Sequence, residues 1–239
     1  MKHYIITGTS SGIGKALAEK VLENKEDVVS GISRTATLAH ERYTHYKLDL
    51  NRPEDLAAFD LPRVEADEVI LINNAGYLGD IKRIGAANHE ALARVFNVNV
   101  TAVAILMNKF LAPDYGGEAS KTILNVSSGA GSYEIPSWAG YCGSKAAVDM
   151  LSKTVKVEQN ELGNDVRILS VGPGVVDTPM QSQIRGAQKE DFSRVEDFQG
   201  FKEHGELASP SDIAAKYLHV LNQGLFTNAV VGSLRDIEI

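Results

Sequence analysis

The stretch Tyr4-Ile5-Ile6-Thr7-Gly8-Thr9-Ser10-Ser11-Gly12-Ile13-Gly14-Lys15 decides the fold. The β-rich run Tyr4 to Thr7 enters a glycine loop, and a helical pattern follows from Lys15 to Glu23 with Ala16, Leu17, Val21 and Leu22 as its apolar positions. Strand, glycine loop and helix form the opening unit of a parallel sheet. Glycines at 8, 12 and 14 let the backbone turn tightly and approach a pyrophosphate, whose charge suits the free N–H groups at a helix start. Gly8, Ser10, Ser11, Gly12, Ile13 and Gly14 are therefore candidate dinucleotide-binding residues. Their spacing, G-x-x-x-G-x-G, differs from the G-x-G-x-x-G of the longer fingerprint.

Outward from this unit, strand-like and helical segments alternate. Val28 to Ile32 reads as a second strand, and it ends in Ser33-Arg34 where an acidic residue would accept hydrogen bonds from an adenosine ribose. Arg34 instead suits a 2′-phosphate, with Ser33 as a second partner, so NADP(H) is the expected cofactor. Lys15 reads as a surface helix residue. Tyr46 to Leu50 gives a third strand with Asp49 and Leu50 at its end, followed by a short helix from Pro53 to Phe59. Val69 to Ile72, a continuous apolar run, ends in Asn73-Asn74-Ala75-Gly76, small residues that let a cofactor lie close. A helix follows from His89 to Leu111, with Asn99 on so apolar a face that it needs a partner. A helix-bending bond to backbone is one reading of it.

Lys121 to Ser127 is a fifth strand running into Ser127-Ser128-Gly129-Ala130-Gly131, and a helix starts at Trp138. On it, Tyr141 and Lys145 share one face at i, i+4 spacing. A tyrosine titrates near pH 10, and lowering that by about two or three units takes roughly 3–4 kcal/mol, which a close cation and an oxidised nicotinamide together supply. Ser128 stands thirteen residues before Tyr141 and Ser127 twelve, and either is placed to hydrogen-bond a carbonyl. Val166 to Val171 is a sixth strand, closed by Pro173-Gly174-Val175-Val176-Asp177-Thr178-Pro179-Met180. Gln181 to Leu207 is charged and irregular, with Ile184, Phe192, Phe198 and Phe201 interspersed; it reads as an amphipathic lid over a pocket or as a surface helical hairpin. Pro210 to Leu221 supplies a last helix and Ala229 to Leu234 a last strand. The expected architecture is a single α/β domain over residues 1–239. It is a Rossmann-type doubly wound sheet of about seven mainly parallel strands with helices on both faces, its motifs at the carboxyl ends of the strands.

Composition agrees. With 44% apolar and 23% charged residues, the 239-residue chain suits a globular core, and a net charge of −7 argues against a nucleic-acid or anionic-membrane surface. One cysteine, Cys142, excludes an intramolecular disulfide, and six scattered histidines suggest no metal. With no signal-like h-region and no charge-free apolar run of 18 residues, the expected location is the cytoplasm.

The ordered matches Thr7-Gly8-x-x-x-Gly12-Ile13-Gly14, Asp49, Asn73-Asn74-Ala75-Gly76, Asn99, Ser128, Tyr141-x-x-x-Lys145 and Pro173-Gly174-x-x-x-Thr178 resemble the short-chain dehydrogenase/reductase family from Tyr4 to about Val231. That resemblance implies Tyr141 as catalytic acid/base and Ser128 as the residue polarising the carbonyl. It implies Lys145 on the nicotinamide ribose, lowering the tyrosine pKa, and Asn99 anchoring a water relay. It further implies Asp49 at the adenine with Leu50 beside it, Asn74, Ala75 and Gly76 on the adenosine side, and Thr178 on the carboxamide among Pro173, Gly174, Val176 and Met180. The segments 174–181 and 202–207 are most similar to the sepiapterin reductase and bacterial benzil reductase branch, whose members reduce vicinal dicarbonyls with NADPH. Asp236 is displaced from the position of the pterin-anchoring aspartate of sepiapterin reductases. The expected activity is NADPH-dependent reduction of a ketone or vicinal diketone, with Tyr133, Trp138 and Met180 lining an apolar substrate pocket. The alternatives are an NADP-dependent alcohol dehydrogenase of hydroxysteroids, sugars or 3-hydroxyacyl compounds, and a non-catalytic NADP(H)-sensing protein. The family pattern implies a homodimer or homotetramer, for which the apolar Ala102 to Leu111 segment is available.

Overall fold

The computed structural model describes residues 1–112, 115–226 and 229–237, and in it the apolar runs form one sheet of seven strands. β1 (Lys2–Thr7), β2 (Val28–Ser33), β3 (Tyr43–Lys47), β4 (Glu68–Asn73), β5 (Ser120–Val126), β6 (Val166–Gly172) and β7 (Val231–Ser233) lie in the order β3-β2-β1-β4-β5-β6-β7. Every pairing is parallel, with Ile6 opposite Ile72 and Ile72 opposite Leu124. The order reverses between β1 and β4, and a crevice beyond their carboxyl ends follows from that reversal.

Successive strand residues face opposite ways. Tyr4, Ile6, Ile70, Ile72, Leu169 and Val171 pack with Leu17 and Val21 of α1 (Gly12–Leu22) and with Ala214, Tyr217 and Val220 of α8 (Pro210–Asn222). Ile5, Leu71, Ile123 and Ile168 pack on the other face with Val103, Leu106 and Phe110 of α4 (Ala102–Phe110) and Val148 of α5 (Ala139–Glu161). Each fully buried side chain of this size, Leu17 or Phe110 for example, contributes about 1.5–3 kcal/mol. The remaining helices are α2 (Pro53–Ala58), α3 (His89–Phe96), α6 (Pro179–Arg185) and α7 (Val195–Glu203).

Several boundaries differ from expectation, each for a local reason. α1 starts at Gly12, so the end of the glycine run is itself the first helical turn. The third strand is Tyr43–Lys47, earlier than Tyr46 to Leu50, because Leu48 and Leu50 are buried in the core after the chain leaves the sheet. The helix expected over His89 to Leu111 is interrupted by a π turn, Asn97–Thr101, centred on Asn99. The last strand is limited to Val231–Ser233. His89–Phe110 has the length and hydropathy of a membrane span. Its Val98, Ala102, Val103, Leu106, Met107 and Phe110 are buried in this core, however. These residues are therefore not free for a subunit contact, and the exposed apolar side chains of α3 and α5 include Phe96, Met150 and Val157.

Candidate active site

A cavity of about 880 Å3 lies across the carboxyl ends of the sheet, a volume at the large end of ligand sites. One end is the turn between β1 and α1, where Gly8 (φ +78°) and Gly12 (φ +56°) take left-handed backbone conformations that favour glycine. Gly8, Ser10, Ser11, Gly12 and Ile13 line the cavity. α1 has no acidic residue in its first turn, and its N-cap Ser11 makes no side-chain capping bond. Its first N–H groups are thus open to an anion. Gly14 is different. It does not line the cavity, and a Cβ on it would overlap Asn74 Nδ2 and the Gly8 carbonyl oxygen, so its bareness lets α1 close on the neighbouring turns. Thr7 fastens those turns: its hydroxyl accepts from the N–H of Asn74 and of Ala75, each at 3.0 Å, and Asn74 Nδ2 donates to Thr7 O at 2.9 Å. Asn74, Ala75 and Gly76 line the cavity, with the Asn74 amide turned towards β1.

At the end of β2, Arg34 is exposed, borders the cavity and makes no hydrogen bond or ion pair among the described residues. Ser33 is turned inward instead. Its hydroxyl donates to Thr35 O at 2.8 Å and meets His45 Nε2 at 3.0 Å, which leaves it committed within the protein and not directed at a phosphate. Asp49 and Leu50 line the same end, and Asp49 Oδ1 accepts from Asn51 N at 3.0 Å. The glycine loop is braced from below by Thr9 Oγ1 and Tyr43 Oη, 2.9 Å apart; the Tyr43 ring crosses Gly31, where any side chain would displace it.

At the other end, Ser128, Tyr141 and Lys145 converge on the cavity. The helical spacing delivers Tyr141 and Lys145 side by side, both buried, with Lys145 Nζ 5.7 Å from the tyrosine ring centre and donating to Val126 O at 2.7 Å. Burial pushes the Tyr141 phenol up to about 12, against a hydrogen bond with Ser128 that works the other way. Burial likewise pulls Lys145 down to about 8, opposed by the Asp149 carboxylate. Loss of water on burial is thus the largest influence on the Tyr141 phenol.

The two serines separate cleanly. Ser127 is buried and donates to Asp149 Oδ1 at 2.6 Å, whereas Ser128 accepts from Ala130 N at 3.2 Å and stands next to Tyr141. Asn99 does not reach the cavity. Its Oδ1 accepts from Tyr77 N at 2.8 Å, and its Nδ2 donates to Tyr77 O and Ser144 Oγ, each at 2.9 Å. The π turn brings it to the Tyr77 backbone, a bond to backbone outside its own helix.

Pro173, Gly174, Val176, Thr178 and Met180 form a further wall. Thr178 caps α6 by accepting from Gln181 N at 3.4 Å. Over the tyrosine end lies an aromatic cluster: Trp138 meets Tyr141 edge-on at 5.7 Å, stacks on Phe192 at 5.6 Å and packs against Phe198 at 5.3 Å. Segment 181–207 is thus folded down on Trp138, and it is fastened by Ser137 Oγ donating to Asp191 O at 2.5 Å, Gln183 Nε2 donating to Gly79 O at 3.0 Å, and a Lys82–Asp191 ion pair. Tyr133 stands exposed at the rim, its ring across Gly129.

Asp149 and Arg235 are among the lining residues that carried no assignment from sequence. Asp149 follows Lys145 by one helical turn, a signal that was there to be read. Arg235, its Nε 3.1 Å from where a Gly174 side chain would begin, carries no local signal because β7 alone positions it. Chemically, the site offers a buried phenol flanked by a hydroxyl and an ammonium, with a helix N-terminus open to an anion at the opposite end of the cavity. Such a group can give a proton to a carbonyl oxygen.

The pattern describing short chain dehydrogenases matches residues 2–189. The benzil reductase ((S)-benzoin forming) of Bacillus subtilis is 38% identical over 231 residues, covering 94% of this chain and 95% of that protein. The sepiapterin reductase of Bos taurus is 30% identical over 246 residues, covering 93% and 90% respectively. The crystal structure of the KRED1-Pglu enzyme superposes with a TM-score of 0.81 at 25% identity, over 96% of this chain and 98% of that one.

Proposed function

The chain belongs to the short-chain dehydrogenase family, on the branch of the benzil and sepiapterin reductases, and we propose that it reduces ketones and vicinal diketones with NADPH, Tyr141 being the proton donor. It is an oxidoreductase of C=O and CH–OH groups, acting on small molecules with a nicotinamide cofactor. The observation that carries the finer reading is the buried Tyr141 phenol beside Ser128 under an apolar aromatic roof.

The residues present fit the cofactor. The open N-terminus of α1 suits its pyrophosphate, and Arg34, without a partner among the described residues, suits a 2′-phosphate. When bound, NADPH supplies the hydride. Ser128 and Tyr141 hold the carbonyl oxygen, and as negative charge gathers there the phenol proton passes to it. Lys145 stabilises the phenolate until water restores the proton. Asn99 serves by position, fixing Tyr77 and Ser144 around the pair. Trp138, Met180, Ile184 and Phe198 line the space above Tyr141 and favour aryl or alkyl substituents, with segment 181–207 as the lid.

Arg34 provides the test of cofactor choice. The wild type is expected to show a higher kcat/KM with NADPH than with NADH. Arg34→Ala is expected to lose about 10–100-fold with NADPH alone, the value of a charged hydrogen bond at about 1.5–3 kcal/mol. A wild type that prefers NADH, or a variant that keeps the NADPH preference, contradicts the assignment.

A further inference from the structure

We infer that Asp149 is a positioning residue of this site: its carboxylate, one turn beyond Lys145 on α5 and not in direct contact with it, is the countercharge that keeps the Lys145 ammonium charged beside Tyr141. The inference rests on the reductase reading only for what Lys145 does during turnover.

Asp149 is 7% exposed and lines the same cavity. Its Oδ1 accepts from Ser127 Oγ and from Ser170 Oγ, each at 2.6 Å, which locks the carboxylate between the ends of β5 and β6. Oδ2 takes no donor among the described residues, and the absence of a side chain at Gly131 leaves room for it, since a Cβ there would come within 2.8 Å. Among the described residues Lys145 has one protein acceptor, the neutral Val126 O. A buried ammonium so served is costly unless an anion stands close. Three carboxylates line the cavity, those of Asp49, Asp149 and Asp236, and Asp149 is the one on the helix face of Lys145. Burial pulls Lys145 down to about 8 even with Asp149 opposing it, so removal of that charge lowers it further. The other titratable groups at the pair are Tyr141 and Cys142 on α5, both pushed up by burial, and Tyr217 from α8, also pushed up. At this end β5 and its following turn, with β6, contribute hydroxyls: Ser127, Ser128 and Ser170.

A carboxylate that merely ties two strands to a helix would cost stability when replaced but would leave the lysine's titration where it was. The test is the pH profile of kcat/KM, together with the pH dependence of NADPH dissociation, in wild type and Asp149→Asn. In the wild type activity is expected to fall as pH rises through about 8, where Lys145 loses its proton. In Asp149→Asn that limb moves acid by about one pH unit or more, so kcat/KM on the alkaline side drops about tenfold while the acid plateau holds. Ser170→Ala, which keeps the carboxylate, leaves the limb in place. Should the amide variant fail to fold, Asp149→Ser gives the same reading with room for water. An unmoved limb in the Asp149 variants, or an equal shift in Ser170→Ala, overturns the inference. A wild type without carbonyl turnover would sink the reductase reading instead, and NADPH dissociation would still decide the role of Asp149.

Discussion

Tyr141→Phe is expected to lower kcat by about 10²–10⁴-fold, the usual worth of a positioned proton donor, while leaving NADPH affinity within a few-fold of wild type. The variant removes one oxygen from a side chain that otherwise keeps its place, since the ring is held edge-on against Trp138 at 5.7 Å and buried in the cluster under 181–207. Folding should therefore survive, and the loss should appear in kcat more than in KM. Ser128 and Lys145 remain, but neither can replace the donor: the serine hydroxyl is far less acidic, and Lys145 Nζ is engaged with Val126 O. Steady-state kinetics beside an NADPH titration check this. Turnover near the wild-type rate with cofactor bound would show that the phenol is not the proton source.

Gly14→Ala should produce the largest loss of stability among the glycine-loop positions. The new Cβ would overlap Asn74 Nδ2 and Gly8 O, groups already fastened through Thr7, so neither can yield cheaply. Overpacking against fixed backbone costs about 3 kcal/mol or more. In a chain of this size that is roughly a 6–12 °C fall in Tm, with NADPH binding weakened because the whole turn must shift. Gly143→Ala is the matched control: its Cβ meets Phe96 at 3.7 Å, an ordinary contact, inside a regular helix. Thermal unfolding of the two variants makes the comparison. A Gly14→Ala protein that melts with the wild type would mean that α1 does not close on the loop as described.

Much of this was legible in the sequence because the deciding signals are local. A strand ending in glycines before a helix fixes the first unit, and apolar runs such as Val69 to Ile72 declare strands buried on both faces. Spacing alone put Tyr141 and Lys145 on one face, and their burial on the cavity side is what the fold adds. What misled was always tertiary. Leu48 and Leu50 looked like strand residues, yet their burial comes from the core after the chain has left the sheet. The partners that Asn99 needs on its apolar face, Tyr77 and Ser144, come from other segments and could not be named from its own helix. Ser33 looked like a phosphate ligand, and His45 and Thr35 hold it inward. The sign of the Tyr141 shift was beyond a motif, because a Y-x-x-x-K string records the cation and says nothing about the water removed.

On the proposed reading, Tyr141 passes its proton to a carbonyl oxygen as NADPH reduces the carbon. The most direct measurement is the loss of reduced-nicotinamide absorbance when wild-type protein is mixed with NADPH and an aryl vicinal diketone, with the product analysed. Saturable NADPH consumption that yields one hydroxyketone per NADPH is the predicted result, and an absorbance that stays constant across a series of diketones and simple ketones would contradict it.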